Sequence, residues 1–233
     1  YIHWPFCKIK CPYCDFNSYR RIAVNQSHWV RAYLNTLEFW SSRLGKRKIT
    51  SIFFGGGTPS LLNARFVELV LQRIDKLWGI SSGCEITIEA NPSSVSDGKF
   101  KELKEVGINR VSVGVQALVD KDLNDLGRDH NKKQAIEALN TVKKWFRNYS
   151  LDFIYGRQYQ TTDQWFNELS KIISLEAPHL SLYQLTIEEN TNFYKLFKRD
   201  LLKGIPSEKI VAEMFDVTKR LCEEGGYSQY ETS

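Results

Sequence analysis

The chain has no stretch of ~18 apolar residues, so no membrane-spanning helix is expected. A leader with a charged start and an apolar centre is also missing, which gives no sign of secretion. Charge of one sign is scarce: 32 Lys and Arg against 27 Asp and Glu leave a net charge of +5. The lysines are scattered, so binding to nucleic acid has little support. Cysteines number five, an odd count that argues against a disulfide framework and points to a reducing compartment, the cytoplasm. No G-x-G-x-x-G run with its acidic partner occurs, so the glycine run Gly55-Gly-Gly57 is not a dinucleotide fingerprint. What is present is ordinary: 233 residues, 42% hydrophobic and 25% charged, are enough for one domain with a sizeable core.

Three of the cysteines, Cys7, Cys11 and Cys14, share one short segment with C-x3-C-x2-C spacing. Three thiolates in one loop can each hold a different iron of a [4Fe–4S] cube. Since clusters normally take four cysteines, one iron is left open for another ligand. An open iron on a reducible cluster suits the binding and cleavage of S-adenosylmethionine. Zinc is the competing reading, because a Cys3His site is common. His3 is the nearest fourth ligand, but it precedes the cysteines in an extended segment, and no second C-x2-4-C pair exists. Cys84 and Cys222 stand alone and read as small buried hydrophobes. His3 and His130 read as structural rather than as bases.

Strand-like apolar runs occur at residues 1–5, 49–54, 85–90, 110–116, 151–155 and 180–187. Helical stripes lie between them. Trp29, Tyr33, Leu37, Trp40 and Leu44 mark the first, an aromatic stripe expected to be core. Others run over 66–77, 135–146, 165–173 and 210–221. Such alternation implies parallel strands with right-handed crossovers, in a doubly wound sheet or a barrel. In 85–89, Ile86 and Ile88 share one face while Glu85, Thr87 and Glu89 share the other. In 111–116 the valines oppose Ser112, Gly114 and Gln116, so a polar face is expected to line a ligand cavity.

Tyr1-Ile-His-Trp-Pro-Phe-Cys7 with Cys11-Pro-Tyr-Cys-Asp-Phe16 resembles the signature of the radical SAM enzymes. More narrowly, it is similar to the branch of oxygen-independent coproporphyrinogen III oxidases and HemW-type heme chaperones. Phe53-Phe-Gly-Gly-Gly-Thr-Pro-Ser60, Ile88-Glu-Ala-Asn-Pro92, residues 107–116, Leu126-Gly-Arg-Asp-His130 and residues 182–191 resemble further blocks, in family order. The resemblance implies an α/β fold, a partial (β/α)6 TIM-like barrel, with ligands at the carboxyl ends of the strands. It implies that Cys7, Cys11 and Cys14 hold the cluster, and that Gly56, Gly57 and Thr58 meet the amino end of S-adenosylmethionine. By the same resemblance Glu89 contacts that cofactor and Tyr1 and Tyr13 pack on cluster or cofactor. Gln116, Arg128 and Asp152 would line a second S-adenosylmethionine-like pocket. The implied chemistry is reductive cleavage to methionine and a 5′-deoxyadenosyl radical, fed by a reductant protein.

Within the branch, oxidases carry an extra cysteine after the third, where this chain has Asp15-Phe16-Asn17. That favours a heme chaperone serving a client protein. The alternatives are a coproporphyrinogen oxidase decarboxylating porphyrinogen propionates and a zinc-stabilised binding module. Where relatives read Gly-Leu-Pro this chain has Gly156-Arg-Gln-Tyr159, so a rigid turn is lost beside the second pocket. The expected organisation is a core barrel over residues 1–205. Residues 206–233 are expected to start a truncated C-terminal region that binds heme in the intact family member. The first residue falls inside a strand-like run, and the whole reads as a fragment or split product.

Overall fold

The computed structural model describes residues 1–232. In chain order the elements are β1 (Ile2–Trp4), β2 (Phe6–Cys7), β3 (Tyr19–Arg20), α1 (Gln26–Leu44), β4 (Ile49–Gly56), α2 (Ala64–Trp78), β5 (Ile80–Ala90), α3 (Asp97–Glu105) and β6 (Arg110–Gln116). They continue with α4 (Asp120–Asp125), α5 (Lys132–Trp145), β7 (Asn148–Tyr155), α6 (Thr162–Ile173), β8 (His179–Gln184), α7 (Asn192–Lys198) and α8 (Glu208–Glu224). Six strands form a sheet in the order β1-β4-β5-β6-β7-β8. This is the parallel α/β arrangement that the strand–helix alternation predicts.

Two compact units make up the chain. One comprises Tyr1–Ile9, Phe16–Val113 and Ile136–Tyr149; the other comprises Lys10–Asp15, Gly114–Ala135 and the residues from Ser150 onward. In the first unit β1, β4, β5 and the start of β6 pair in parallel, with Trp4 opposite Gly56, Phe54 opposite Ile88 and Ala90 opposite Val113. Helix α2 seals one side with Phe66, Val67, Val70, Leu71 and Ile74, an i, i+3, i+4 stripe. Asn63 caps it by accepting the Phe66 N–H at 2.7 Å.

Helix α1 corrects an expectation. Its aromatic stripe is not core: no residue of the helix is buried, and Trp40 is 48% exposed. Trp29 and Tyr33 are half-buried, and their rings meet Trp4, Phe6 and Phe66 edge-on.

In the second unit β7 and β8 pair in parallel from Ser150–His179 to Tyr155–Gln184. Helix α6 opens with a capping box in which Thr161 and Gln164 exchange side-chain and backbone bonds. Its fully buried Trp165 stacks on Tyr155 and donates its indole N–H to Thr218 Oγ1 of α8 at 2.8 Å. A separate apolar cluster joins Leu126, Ile154, Leu185, Phe193 and Leu202, with Tyr13 packed against it. Along β6 the parity is as expected: Val111, Val113 and Val115 are buried while Ser112, Gly114 and Gln116 are partly open.

Candidate functional site

The first unit positions Tyr1, Cys7, Gly56, Gly57, Thr58 and Glu89. Cys7 lies in β2, whose register with β3 sets it opposite Arg20, and its carbonyl accepts the Arg21 N–H at 2.9 Å. The glycine run ends β4 and continues alongside the residues that lead into Cys7. Gly57 N–H donates to the Trp4 carbonyl at 2.6 Å and Thr58 N–H to the Phe6 carbonyl at 3.0 Å. A Cβ on Gly57 would lie 2.7 Å from the Phe6 carbonyl oxygen. Gly56 has φ +110, and its Cβ would meet the His3 ring at 2.5 Å. Close backbone approach therefore requires both glycines.

Glu89 ends β5 with its carboxylate on this run, Oε2 accepting the Gly56 N–H at 3.0 Å. Burial, followed by the nearby Glu89 charge, raises the Tyr1 phenol above its usual value. Burial likewise pushes Tyr33 up to about 12, with its hydroxyl donating to the His3 carbonyl. His3 Nε2–H donates to the Asn17 carbonyl at 2.9 Å.

The second unit positions Cys11, Tyr13, Cys14, Gln116, Arg128 and Asp152. A turn holds the cysteine loop, with Cys14 N–H donating to the Cys11 carbonyl at 3.1 Å. Arg128 reaches back across the sequence to this loop. Its Nη1 donates to Cys11 Sγ at 3.3 Å and to Tyr13 Oη at 3.4 Å, and its Nη2 to the Gly114 carbonyl at 2.9 Å. Burial alone would lower the Arg128 pKa, but Tyr13 and Cys11 outweigh it and the group stays a cation. Burial pushes the Tyr13 phenol well up, against the pull of Arg128.

Gln116 ends β6 at φ 72, a left-handed conformation that costs a non-glycine residue ~1–3 kcal/mol. Its amide oxygen is buried and has no hydrogen-bond partner among the described residues. Asp152 sits in the middle of β7 opposite Ser181, partly buried. His130 is structural, donating Nε2–H to the Val115 carbonyl at 3.0 Å. Cys84 is buried and Cys222 partly so; burial raises both thiols, as small apolar positions should show.

Among the described residues, no three His, Cys, Asp or Glu side chains converge as a single metal ion would require. A four-iron cube makes a different demand, because each thiolate binds its own iron. The donor set fits such a cube: three thiols, one of them held by a cation. No helix among the described residues is long and apolar enough to cross a membrane.

Sequence reasoning missed Arg157, Glu168, Asp122 and Gln160, which form a polar cluster in the second unit. Arg157 is 3% exposed, its Nη2 bonded to Asp122 Oδ2 at 2.8 Å and to Glu168. The available signals were an arginine directly after an apolar strand and a glutamate on the Trp165–Leu169–Ile172 stripe.

Comparison with known proteins agrees with this chemistry. Residues 1–170 match the family model described as the Radical SAM superfamily. Over its full length the chain is 38% identical to the heme chaperone HemW of Haemophilus influenzae and 36% identical to that of Escherichia coli strain K12, covering 61% of each. It is 33% identical to the mitochondrial radical S-adenosyl methionine domain-containing protein 1 of Bos taurus, covering 53% of it. The chain thus spans less than two thirds of these relatives. The structure of coproporphyrinogen III oxidase (HemN) from Escherichia coli shares the fold, with a TM-score of 0.81 at 24% identity over 97% of this chain and 52% of that one. With a family match across most of its length and three cysteines at the matching end, the chain belongs to the radical SAM superfamily.

Proposed function

We propose that the chain is the radical SAM core of a HemW-type heme chaperone. In this reading Cys7, Cys11 and Cys14 hold a [4Fe–4S] cluster whose open iron takes S-adenosylmethionine. The observation that carries it is the Arg128 guanidinium at 3.3 Å from Cys11 Sγ. When bound, the reduced cluster and S-adenosylmethionine supply one-electron chemistry. The protein's own residues bind and orient. Arg128 Nη1 holds both Cys11 Sγ and the Tyr13 hydroxyl, so one side chain orients both. Glu89 anchors the Gly56 amide and so fixes the glycine run in which Gly56, Gly57 and Thr58 receive the methionyl end. Tyr1 borders this first site. Gln116, Arg128 and Asp152 serve a second S-adenosylmethionine pocket. A reductant protein in a reducing, cytoplasmic setting supplies the electron, and heme passes to a client protein in the full-length form.

The test is anaerobic reconstitution followed by iron and sulfide analysis. Wild type should bind about four of each per chain. Alanine at Cys7, Cys11 or Cys14 should abolish the cluster, whereas Cys222→Ala should retain it. Zinc without sulfide in folded wild-type protein would overturn the reading. Hemin titration of the full-length form then separates the branches: a saturable Soret shift supports the chaperone, and decarboxylation of added coproporphyrinogen supports the oxidase.

A further inference from the structure

The turn after β7, Gly156-Arg-Gln-Tyr159, is built around charge. Arg157 Nε and Nη2 donate to Asp122 Oδ2 at 3.2 and 2.8 Å, and Nη2 also to Glu168 Oε2. Its Nη1 donates to the carbonyls of Ile154 and, at 3.5 Å, Gln116. Gln160 closes the turn by accepting the N–H groups of Gly156 at 2.8 Å and Arg157 at 3.2 Å, and donates to Glu168 at 3.3 Å. Glu168 Oε1 in turn accepts the Leu118 N–H at 2.7 Å. One guanidinium–carboxylate pair therefore grips both sides of Ala117: the carbonyl of Gln116 before it and the amide of Leu118 after it.

That grip falls on a strained residue. Gln116 holds φ 72 with a buried, unpartnered amide oxygen, a state that persists only when its surroundings enforce it. A buried ion pair is weak as plain stabilisation, since apolar residues of the same volume often do as well. Its five-donor geometry does what an apolar turn cannot, namely hold two carbonyls and two carboxylates in fixed directions. We propose that Arg157 and Glu168 are positioning residues that clamp the Gln116–Leu118 segment and preset the Gln116 amide for a polar ligand of the S-adenosyl class. The inference rests on the proposed function only for the identity of that ligand.

Two readouts test it. The first needs no ligand: hydrogen–deuterium exchange of the reduced apoprotein. Arg157→Lys keeps the charge but not the fork, and should speed exchange at Ala117 and Leu118 at least tenfold while amides of β4 and α2 stay unchanged. Should Arg157→Lys fail to fold, Glu168→Gln is the substitute, because it keeps a carbonyl acceptor for Leu118 and weakens only the ionic grip. Unchanged local exchange overturns the clamp. The second readout is calorimetric titration of the reconstituted protein with S-adenosylhomocysteine. Arg157→Lys should weaken binding at least tenfold, and should cause no further loss when added to Gln116→Ala. An equal loss in both backgrounds overturns action through Gln116. Absence of binding by wild type, with accelerated exchange in the variant, refutes the ligand assignment and leaves the clamp standing.

Discussion

Alanine at Gly57 should damage both the fold and the metal loop, and the size of the effect follows from the geometry. A Cβ there would lie 2.7, 2.8 and 2.9 Å from the Phe6 carbonyl oxygen, nitrogen and carbonyl carbon. All three are backbone atoms, so no side chain can swing aside. The strand leading to Cys7 must move, at a cost of about 1–3 kcal/mol for overpacking. Movement also strains the bonds from Gly57 N–H to Trp4 and from Thr58 N–H to Phe6, each contributing about 1 kcal/mol. With both bonds lost the sum is about 3–5 kcal/mol, which lowers the melting midpoint of a chain this size by roughly 6–20 °C. Gly98 is the control: nothing lies within 4 Å of its Cβ position and it sits inside α3. Alanine there should stabilise by about 0.5–1 kcal/mol. Urea denaturation of the reduced apoprotein measures both, and iron loading after reconstitution should fall in Gly57→Ala alone. A Gly57→Ala variant as stable and as iron-rich as wild type would refute the reasoning.

Thr218→Val leaves the buried Trp165 indole N–H unpaired and should cost about 1–3 kcal/mol by denaturant titration, with Thr218→Ser close to wild type. Lys99 has its pKa lowered to about 8, first by burial and then by Lys8. Its unfolded value is higher, so between pH 8 and 10.5 the unfolded chain holds more protons and stability rises with pH. Lys99→Met should therefore be more stable than wild type at pH 7, with the advantage fading toward pH 10.5; a constant difference across thermal melts in this range would contradict the assignment.

The strands were legible because their periodicity is strong. β6 alternates valine with Ser112, Gly114 and Gln116, and the structure shows the same alternation of burial. Helices α3, α4 and α7 were not, since nine, six and seven residues with one or two buried positions carry too little periodic signal. Strands β2 and β3 are two residues each and have no period at all. The α1 stripe misled because hydrophobic spacing says which residues share a face, not whether anything covers it.

Three cysteines at close spacing announce themselves locally. The approach of Arg128 to Cys11 spans 117 positions and follows from tertiary folding, so only the family resemblance hinted at its importance. The Arg157 cluster shows the converse. In sequence Arg157 is one polar residue in a turn, and its grip on Asp122, Glu168 and the Gln116 carbonyl follows only from the fold.

The most direct test of the account is electron paramagnetic resonance of the anaerobically reconstituted, dithionite-reduced protein, with and without S-adenosylmethionine. A [4Fe–4S]⁺ signal that changes shape when S-adenosylmethionine is added is the predicted result, because the cofactor then occupies the iron that the three cysteines leave open. A cluster signal indifferent to S-adenosylmethionine, or folded protein that binds no cluster, would contradict it.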